Sequence, residues 1–400
     1  MLEFLAPDLP DHGRQLLLKV FQAHKEHTGQ SISLICHNWL QYRRELVNVC
    51  IHHSGGDIAE VGSTWLSSMV SMNCLRPFSV QELQDLGGRE SFFGPLWQDI
   101  TVADGHKTWG LPFRADARVI FYWEDLLEAA QVDPQTAFNS FEAMQSAFEM
   151  LRMHNIIPWV VVTQVDNHDS VYNLSSWIHR AGGAFLSSSG KATAFATSQA
   201  MDGAQAYFDL YRYMPQNGHP LDDDAALGAF ARREVAATMG GPWLLNFLRN
   251  HKVTDAAFKH LKIALPPGPS FVGGTVLVVF QHAGAIVALG DLLKMLYEPQ
   301  FLSSYCLGSG LLPVQKDMWT ETYLQSDPNL HVFREAIAHG TSLPDTPYWG
   351  MVEDRLTVAI GDIWRGIYSA PGHLQPDALR GLIMNHLEPV ARRLDLTLGD

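Results

Sequence analysis

Gly56-Asp57-Ile58-Ala59-Glu60-Val61-Gly62-Ser63-Thr64-Trp65 reads as a turn, a short strand from Ile58 to Val61, and a second turn of small residues that closes on a tryptophan. Upstream, Trp39 to Cys50 has helical spacing, with Leu40, Leu46, Val47 and Cys50 roughly on one face, and Ser31 to Cys36 reads as a strand. Further back, Leu2 to Leu5 is a strand, followed by the turn-rich Ala6-Pro7-Asp8-Leu9-Pro10-Asp11 and an apolar-periodic helix from Leu16 through Val20 to His24. The resulting β-α-β-α-β order is the pattern of a parallel sheet covered by helices. Alternation continues with strand-like Val119 to Tyr122, helical Phe138 to His154, strand-like Trp159 to Thr163 and helical Met201 to Tyr213. From Ala225 helices take over, interrupted by strand-like Leu261 to Leu265 and Thr275 to Phe280. The fold class is α/β.

A chain of 400 residues is too long for one core and points to two or three units, with two lobes the first expectation. Hydrophobic residues at 46% and charged residues at 18% place it among folded, core-burying proteins. Its 28 basic and 42 acidic residues give a formal charge of −14, which repels phosphate backbones and argues against nucleic acid as a partner. The longest apolar run, Thr275 to Leu293, is broken by Gln281 and His282, so no membrane span is expected. Met1 to Leu18 carries Glu3, Asp8, Asp11 and Arg14 and lacks the basic-then-apolar order of a secretory leader; either a leader was removed or the protein stays inside. Cys36, Cys50, Cys74 and Cys306 show no CxxC spacing and read as buried small hydrophobes, with a mild lean toward a reducing compartment.

The common catalytic signatures, HExxH, GxSxG, GxxxxGK[ST] and a GxGxxG after a strand, are missing from the sequence. Gly308-Ser309-Gly310 begins like a dinucleotide loop but has Pro313 where the third glycine belongs. His24 with His27, and His52 with His53, read as surface or capping residues rather than metal ligands, because no cysteine or suitably spaced glutamate accompanies them. Asp222-Asp223-Asp224 lacks the alternating oxygens of a calcium loop and reads as a solvated loop with a helix N-cap at Asp224. No enzyme activity, cofactor or metal is therefore expected.

Five separated segments together resemble the extracellular solute-binding proteins of the maltose-binding type. Gly56 to Trp65 is similar to that family's strand end beside the ligand, with Gly56 in place of the usual proline. Gly110 to Leu127, containing Leu111-Pro112-Phe113-Arg114-Ala115-Asp116-Ala117-Arg118, resembles the first interlobe crossing. Phe230 to Trp243 resembles the stretch that ends in Gly-Pro-Trp, although Arg233 stands where a glycine is usual. Pro266 to Gly274 resembles the return crossing, and Gly310 to Val314 the third. The resemblance implies a two-lobed periplasmic-binding-protein fold of the Venus-flytrap kind with a ligand cleft between lobes. It divides the chain into lobe 1 (1–111 and 272–313) and lobe 2 (112–271 and 314–400). It also implies the solute-binding component of an ABC importer, closing on a mono- or oligosaccharide and delivering it to permease subunits, as a monomer, in the periplasm or at the cell surface. A cytoplasmic ligand-sensing domain of the same fold is the alternative, and a glycan-processing enzyme a third reading.

A sugar presents apolar C–H faces and a ring of hydroxyls, so its site needs flat aromatic surfaces and fixed donors and acceptors. Trp65, after Ser63 and Thr64 at a strand end, is a stacking candidate, with lobe packing as the plainer reading. Trp243 follows Gly240 and Gly241, which let backbone approach a ligand, and Met239 is a wall candidate. Trp177 is a further candidate that a helix core would also accept; Trp39 and Trp349 complete the aromatic set. Asp116 and Arg118 offer a carboxylate acceptor and a forked donor, or else a mutual or interlobe salt bridge. Asp8 and His12 match positions that hold sugar hydroxyls in the family, or cap a helix. Gly273 and Gly274 free a backbone N–H or permit hinge rotation.

Overall fold

Runs of β-branched and aromatic residues form the strands in a computed structural model, which describes residues 1–98, 100, 107–284, 286–320 and 327–399. In chain order they are β1 (Leu2–Pro7), β2 (Ile32–His37), β3 (Ile58–Gly62), β4 (Leu75–Arg76), β5 (Leu111–Ala117), β6 (Val119–Trp123), β7 (Ile157–Val160), β8 (Val235–Gly240), β9 (Leu261–Ala264) and β10 (Val272–Phe280). The chain divides into two compact units. Unit 1 holds Met1–Asp116, Val272–Ala338 and Asp345–Gly350; unit 2 holds Ala117–Phe271, His339–Pro344 and Met351–Asp400.

The sheet of unit 1 has the order β2-β1-β3-β10-β4, with β5 also paired to β10. β1 runs parallel to β2 and β3, as the alternating sequence predicts, whereas β10 is antiparallel to β3 and β4, which makes the sheet mixed. β3 is buried along its whole length and β10 almost so, which is why both read as near-continuous apolar runs. The helix Asp11–Thr28 buries Leu17 and Phe21 on one face, and Phe21 meets Phe4 of β1 with ring centroids 5.3 Å apart. Unit 2 has a smaller mixed sheet, β7-β8-β6-β9, in which β7 and β8 are parallel while β6 is antiparallel to both its neighbours. Long helices pack around it, among them Asp169–Arg180, Ser198–Asp209 and Pro376–Leu398. The first two approach so closely that a Cβ at Gly203 would collide with the Trp177 carbonyl.

The structure moves the expected boundaries. The chain leaves unit 1 after Asp116, not at 111, because β5 continues past Pro112 as part of the unit 1 sheet. Gly310 to Pro313 is not a crossing. Ala115 and Leu312 exchange hydrogen bonds of 2.8 and 2.9 Å, Gln315 Nε2 donates to Leu86 O at 2.9 Å, and Trp319 stands edge-on to Phe93, so 314–338 stay with unit 1. Asp345–Gly350 also belong to unit 1, and the helix Trp349–Ser369 therefore begins there before continuing in unit 2.

Three smaller expectations are corrected. Cys50 and Cys74 form a disulfide, with Cα atoms 4.9 Å apart, between the end of the helix Trp39–His52 and the start of β4; the two positions are 24 residues apart and only the fold brings them together. His24 is not at the surface: it is fully buried, and Nε2 donates to Ala288 O at 2.8 Å, tying its helix to a distant segment. The N-cap of the helix Asp223–Ala231 is Asp222, whose side chain accepts from Ala225 N at 2.8 Å, rather than Asp224.

Candidate functional site

In unit 1, β1, β2 and β3 run parallel, and their carboxyl ends lie along one edge, where open α/β sheets hold ligands. Asp8 follows β1, exposed, with its N–H donating to His37 O at 2.8 Å. Trp39 follows β2 and starts a helix whose N-cap is the Asn38 side chain. Ser63, Thr64 and Trp65 follow β3 as a single 3-10 turn. The local chemistry of three strand ends thus brings Asp8, Trp39, Ser63, Thr64 and Trp65 to one edge.

There the aromatic side chains meet. Trp39 and Trp65 stand edge to face with centroids 5.4 Å apart, and Tyr42 lies 6.2 and 6.3 Å from them. Tyr42 is fully buried and donates to Glu60 O at 2.8 Å, whereas Trp65 is half-buried and Trp39 is 44% exposed. Desolvation pushes the Tyr42 hydroxyl well above its ordinary value, so it stays a neutral donor.

Behind this wall is a buried charge cluster that the sequence reading missed. Glu60, within β3, accepts from Arg114 Nε at 2.5 Å, Thr275 Oγ at 2.6 Å and Tyr305 OH at 2.8 Å. The Arg114 guanidinium also lies over the Tyr305 ring. Burial works against the Arg114 charge, but Glu60, by charge and hydrogen bond, together with Tyr305 and Cys306 more than offsets it and raises its affinity for the proton. A charged residue inside an otherwise apolar strand was the available signal, since a buried carboxylate requires a partner.

The segment 345–350 closes on the same region. Asp345 accepts from Ser67 Oγ, two residues beyond Trp65, and the backbone of Gly350 lies against the Arg43 guanidinium, one turn beyond Trp39. Asp345 is exposed as a residue, yet its carboxyl group, turned toward Ser67, is desolvated enough to be raised, and the Ser67 bond only partly counters that.

In unit 2, Arg118 is the residue between β5 and β6, 2% exposed, with its N–H donating to Phe271 O at 3.0 Å. Its guanidinium Nη2 donates to Asp169 Oδ1 at 2.7 Å and lies 5.3, 5.7 and 6.0 Å from the ring centroids of Tyr172, Trp243 and Phe271. Such contacts contribute roughly 0.5–1 kcal/mol at exposed sites and about 2 kcal/mol when desolvated. Tyr172 stacks on Phe271 at 4.5 Å and donates to Glu353 Oε1 at 2.5 Å. Arg118 forms an ion pair with Asp169, a partner the sequence reading did not name, whose side chain stays 35% exposed. Asp169 is a half-open acceptor with a fixed cation behind it, next to the half-buried Trp243. The nearby Asp223 carboxyl is raised, by burial first and then by Asp169.

The other sequence candidates lie elsewhere in the two units. Trp177 is fully buried in unit 2, edge-on to Tyr207 at 5.3 Å, and is a core residue. Trp349 is likewise fully buried. Met239 is buried in β8 opposite Ile120, and Gly240 and Gly241 beside it are buried too. Gly274 has a φ of +133°, and a Cβ there would collide with Arg114 O, so strand contact alone requires glycine; Gly273 is buried beside it. His12 packs beside Gly308, and Asp116 ends unit 1 on β5, partly buried. Among the described residues no cluster of three or more metal-ligating side chains occurs, and no helix is long and apolar enough to cross a membrane.

The model of the family described as bacterial extracellular solute-binding protein matches residues 22–332. A protein of Brucella abortus named only as a binding protein is 23% identical over 364 residues, covering 87% of this chain and 84% of its own length. The sugar-binding protein MalE of Xanthomonas citri superposes with a TM-score of 0.81 at 17% identity, covering 100% of this chain and 99% of its own. An ABC transporter solute-binding protein of Thermotoga lettingae, solved with alpha-D-tagatose, gives 0.79 at 18% identity with 100% and 99% coverage. The solved structures establish the two-lobed α/β fold of MalE-type periplasmic binding proteins, as expected from the sequence.

Proposed function

This chain belongs to the bacterial extracellular solute-binding protein family, and we propose that it captures a carbohydrate outside the cytoplasm and passes it to the permease subunits of an ABC importer. The observation that carries the reading is the pair Trp39 and Trp65, left partly open to water at the carboxyl edge of the parallel strands. Flat apolar faces beside fixed carboxylates and hydroxyls match the C–H faces and hydroxyl rims of a sugar ring. Trp243 with Asp169 and Arg118 supplies the same combination in unit 2. Two of the structural neighbours carry sugars in their descriptions, one as sugar-binding protein and one with a bound ketohexose. Capture works by population shift: a ligand favours whichever state gives it more contacts, and only that difference in contact can drive the change. The Cys50–Cys74 disulfide favours an oxidising compartment over the cytoplasmic-sensor alternative.

The test is a thermal-shift screen against mono-, di- and oligosaccharides, polyols and amino acids, since a ligand of the folded state raises its melting temperature. The reading requires a shift for one carbohydrate class that is lost in folded Trp65→Ala and Trp243→Ala variants. Stabilisation by amino acids alone sinks it.

A further inference from the structure

A strand at the rim of a sheet offers unpaired N–H and C=O groups, and folded proteins blunt such rims with charge, proline, brevity or cover. The other rims of the two sheets follow that rule. β4 is two residues long and includes Arg76, β7 contains Pro158, β9 contains Lys262, and β5 is covered where Ala115 exchanges hydrogen bonds with Leu312. β2 has none of these protections. It runs for six residues, Ile32 to His37, without proline, lysine, arginine or a carboxylate, and all of them are part-exposed. Among the described strands it pairs with β1 alone.

The direction of its bonds fixes what can join it. Leu2 N donates to Ser31 O and Asp8 N to His37 O, each at 2.8 Å, and the parallel register sets Leu2 opposite Ile32. Residues along a ladder alternate between facing the neighbouring strand and facing away from it. Ser31, Ser33, Ile35 and His37 therefore turn their backbone groups to β1, while Ile32, Leu34 and Cys36 turn theirs outward. This outward set is centred on Leu34 and is self-complementary. A two-fold axis through Leu34 sets Leu34 against Leu34 and Ile32 against Cys36 in antiparallel pairs, and every outward N–H then meets an outward C=O of the other copy. Their apolar side chains lie side by side across the join. A loose peptide must first be ordered, whereas β2 of a second copy is already extended and held by β1.

We infer that β2 is a self-association edge, through which two copies of this chain join their unit 1 sheets across a two-fold axis at Leu34. The pair departs from the monomer that the sequence resemblance implies, and it does not depend on what the protein binds. The formal charge of −14 on each copy opposes the approach, so salt, which screens it, favours the pair.

Sedimentation of the full chain over a range of concentrations, in buffer with added salt, tests this. The expected result is a monomer–dimer equilibrium whose Kd weakens about tenfold or more in Leu34→Pro and in Leu34→Lys. Proline there removes an N–H that faces away from β1, so the bonds to β1 stay, and lysine sets like charges opposite each other across the axis. Leu34→Lys carries the test should Leu34→Pro fold poorly. Register is read from Ile32→Cys, which sets a thiol against the free, part-exposed Cys36 of the second copy. Their Cα atoms would lie about 5.5 Å apart, within reach of a disulfide. Within one strand the same two positions are about 13 Å apart, so oxidation should yield a covalent dimer and no internal bridge. Monomer mass at every concentration overturns the inference and leaves the edge to a strand of some other protein. A dimer that both Leu34 variants leave intact, or that Ile32→Cys does not lock on oxidation, also overturns it and places the join elsewhere.

Discussion

Arg114 Nε lies 2.5 Å from Glu60 Oε1, and the two side chains are 3% and 0% exposed, so a full ion pair sits inside unit 1 directly behind its aromatic wall. Removing one charge leaves the other buried without compensation. Glu60→Gln or Arg114→Met is expected to cost about 3–5 kcal/mol of unfolding free energy, read from denaturant midpoints, whereas a joint replacement by apolar residues should cost less than the single changes added together. Additive losses would show that the two groups do not act as a pair.

The Cys50–Cys74 bond closes a loop of 24 residues of sequence separation. Loop-closure entropy assigns such a bridge about 3 kcal/mol. A melt in the presence of a phosphine reductant should fall to that of the Cys50→Ser, Cys74→Ser double variant, which the reductant should leave unchanged. Coincident melts of reduced and oxidised wild type would contradict this.

Tyr207 and Tyr305 are both fully buried but differ in what their hydroxyls meet. Tyr305 donates to the Glu60 carboxylate at 2.8 Å, while the Tyr207 hydroxyl finds no partner among the described residues. The same change should therefore act in opposite directions. Tyr305→Phe is expected to cost about 1.5–3 kcal/mol, and Tyr207→Phe to be neutral or to stabilise by up to about 1 kcal/mol, because it removes a desolvated group that gains nothing. Equal losses in a calorimetric comparison would refute the distinction.

Asp345 titrates higher folded than unfolded because burial penalises its charge. Between the ordinary value of 3.8 and its raised one, the folded chain binds the extra proton. Its contribution is thus fully present below the unfolded value and is lost as pH rises through the folded one. Asp345→Asn, whose amide oxygen can still accept from Ser67, should flatten that part of the stability–pH profile relative to wild type. An unchanged difference profile would mean that the carboxyl is not desolvated.

The alternation of strands and helices was legible because each element carries its own period, and Leu2 to Val61 alone displayed the parallel half of the unit 1 sheet. The direction of β10 was not, since strand polarity depends on where the chain re-enters a sheet, and Val272–Phe280 looks equally apolar either way. Trp65 and Trp243 stood out as candidates because a turn of small residues precedes each. Trp177 has similar surroundings in sequence, yet its helix turns it inward against Tyr207, a fact set by packing between helices and not by the residues beside it. Asp169 and Asp345 were missed for the converse reason: each gains its partner, Arg118 or Ser67, from far along the chain.

The position of β10 bears on how the molecule is made. β1, β2 and β3 can pair as soon as they leave the ribosome, but β4 and β5 both depend on β10, which ends at Phe280. Until then the nascent chain carries β3 as an open, apolar edge. Unit 2 waits longer, because Leu379, Ile383, Leu387 and Leu394 of the helix Pro376–Leu398 belong to its interior. Neither unit can therefore finish early and shelter the other during synthesis. A translational pause before residue 280 would prolong the life of that unprotected edge, so the speed of the ribosome over this stretch becomes a determinant of yield.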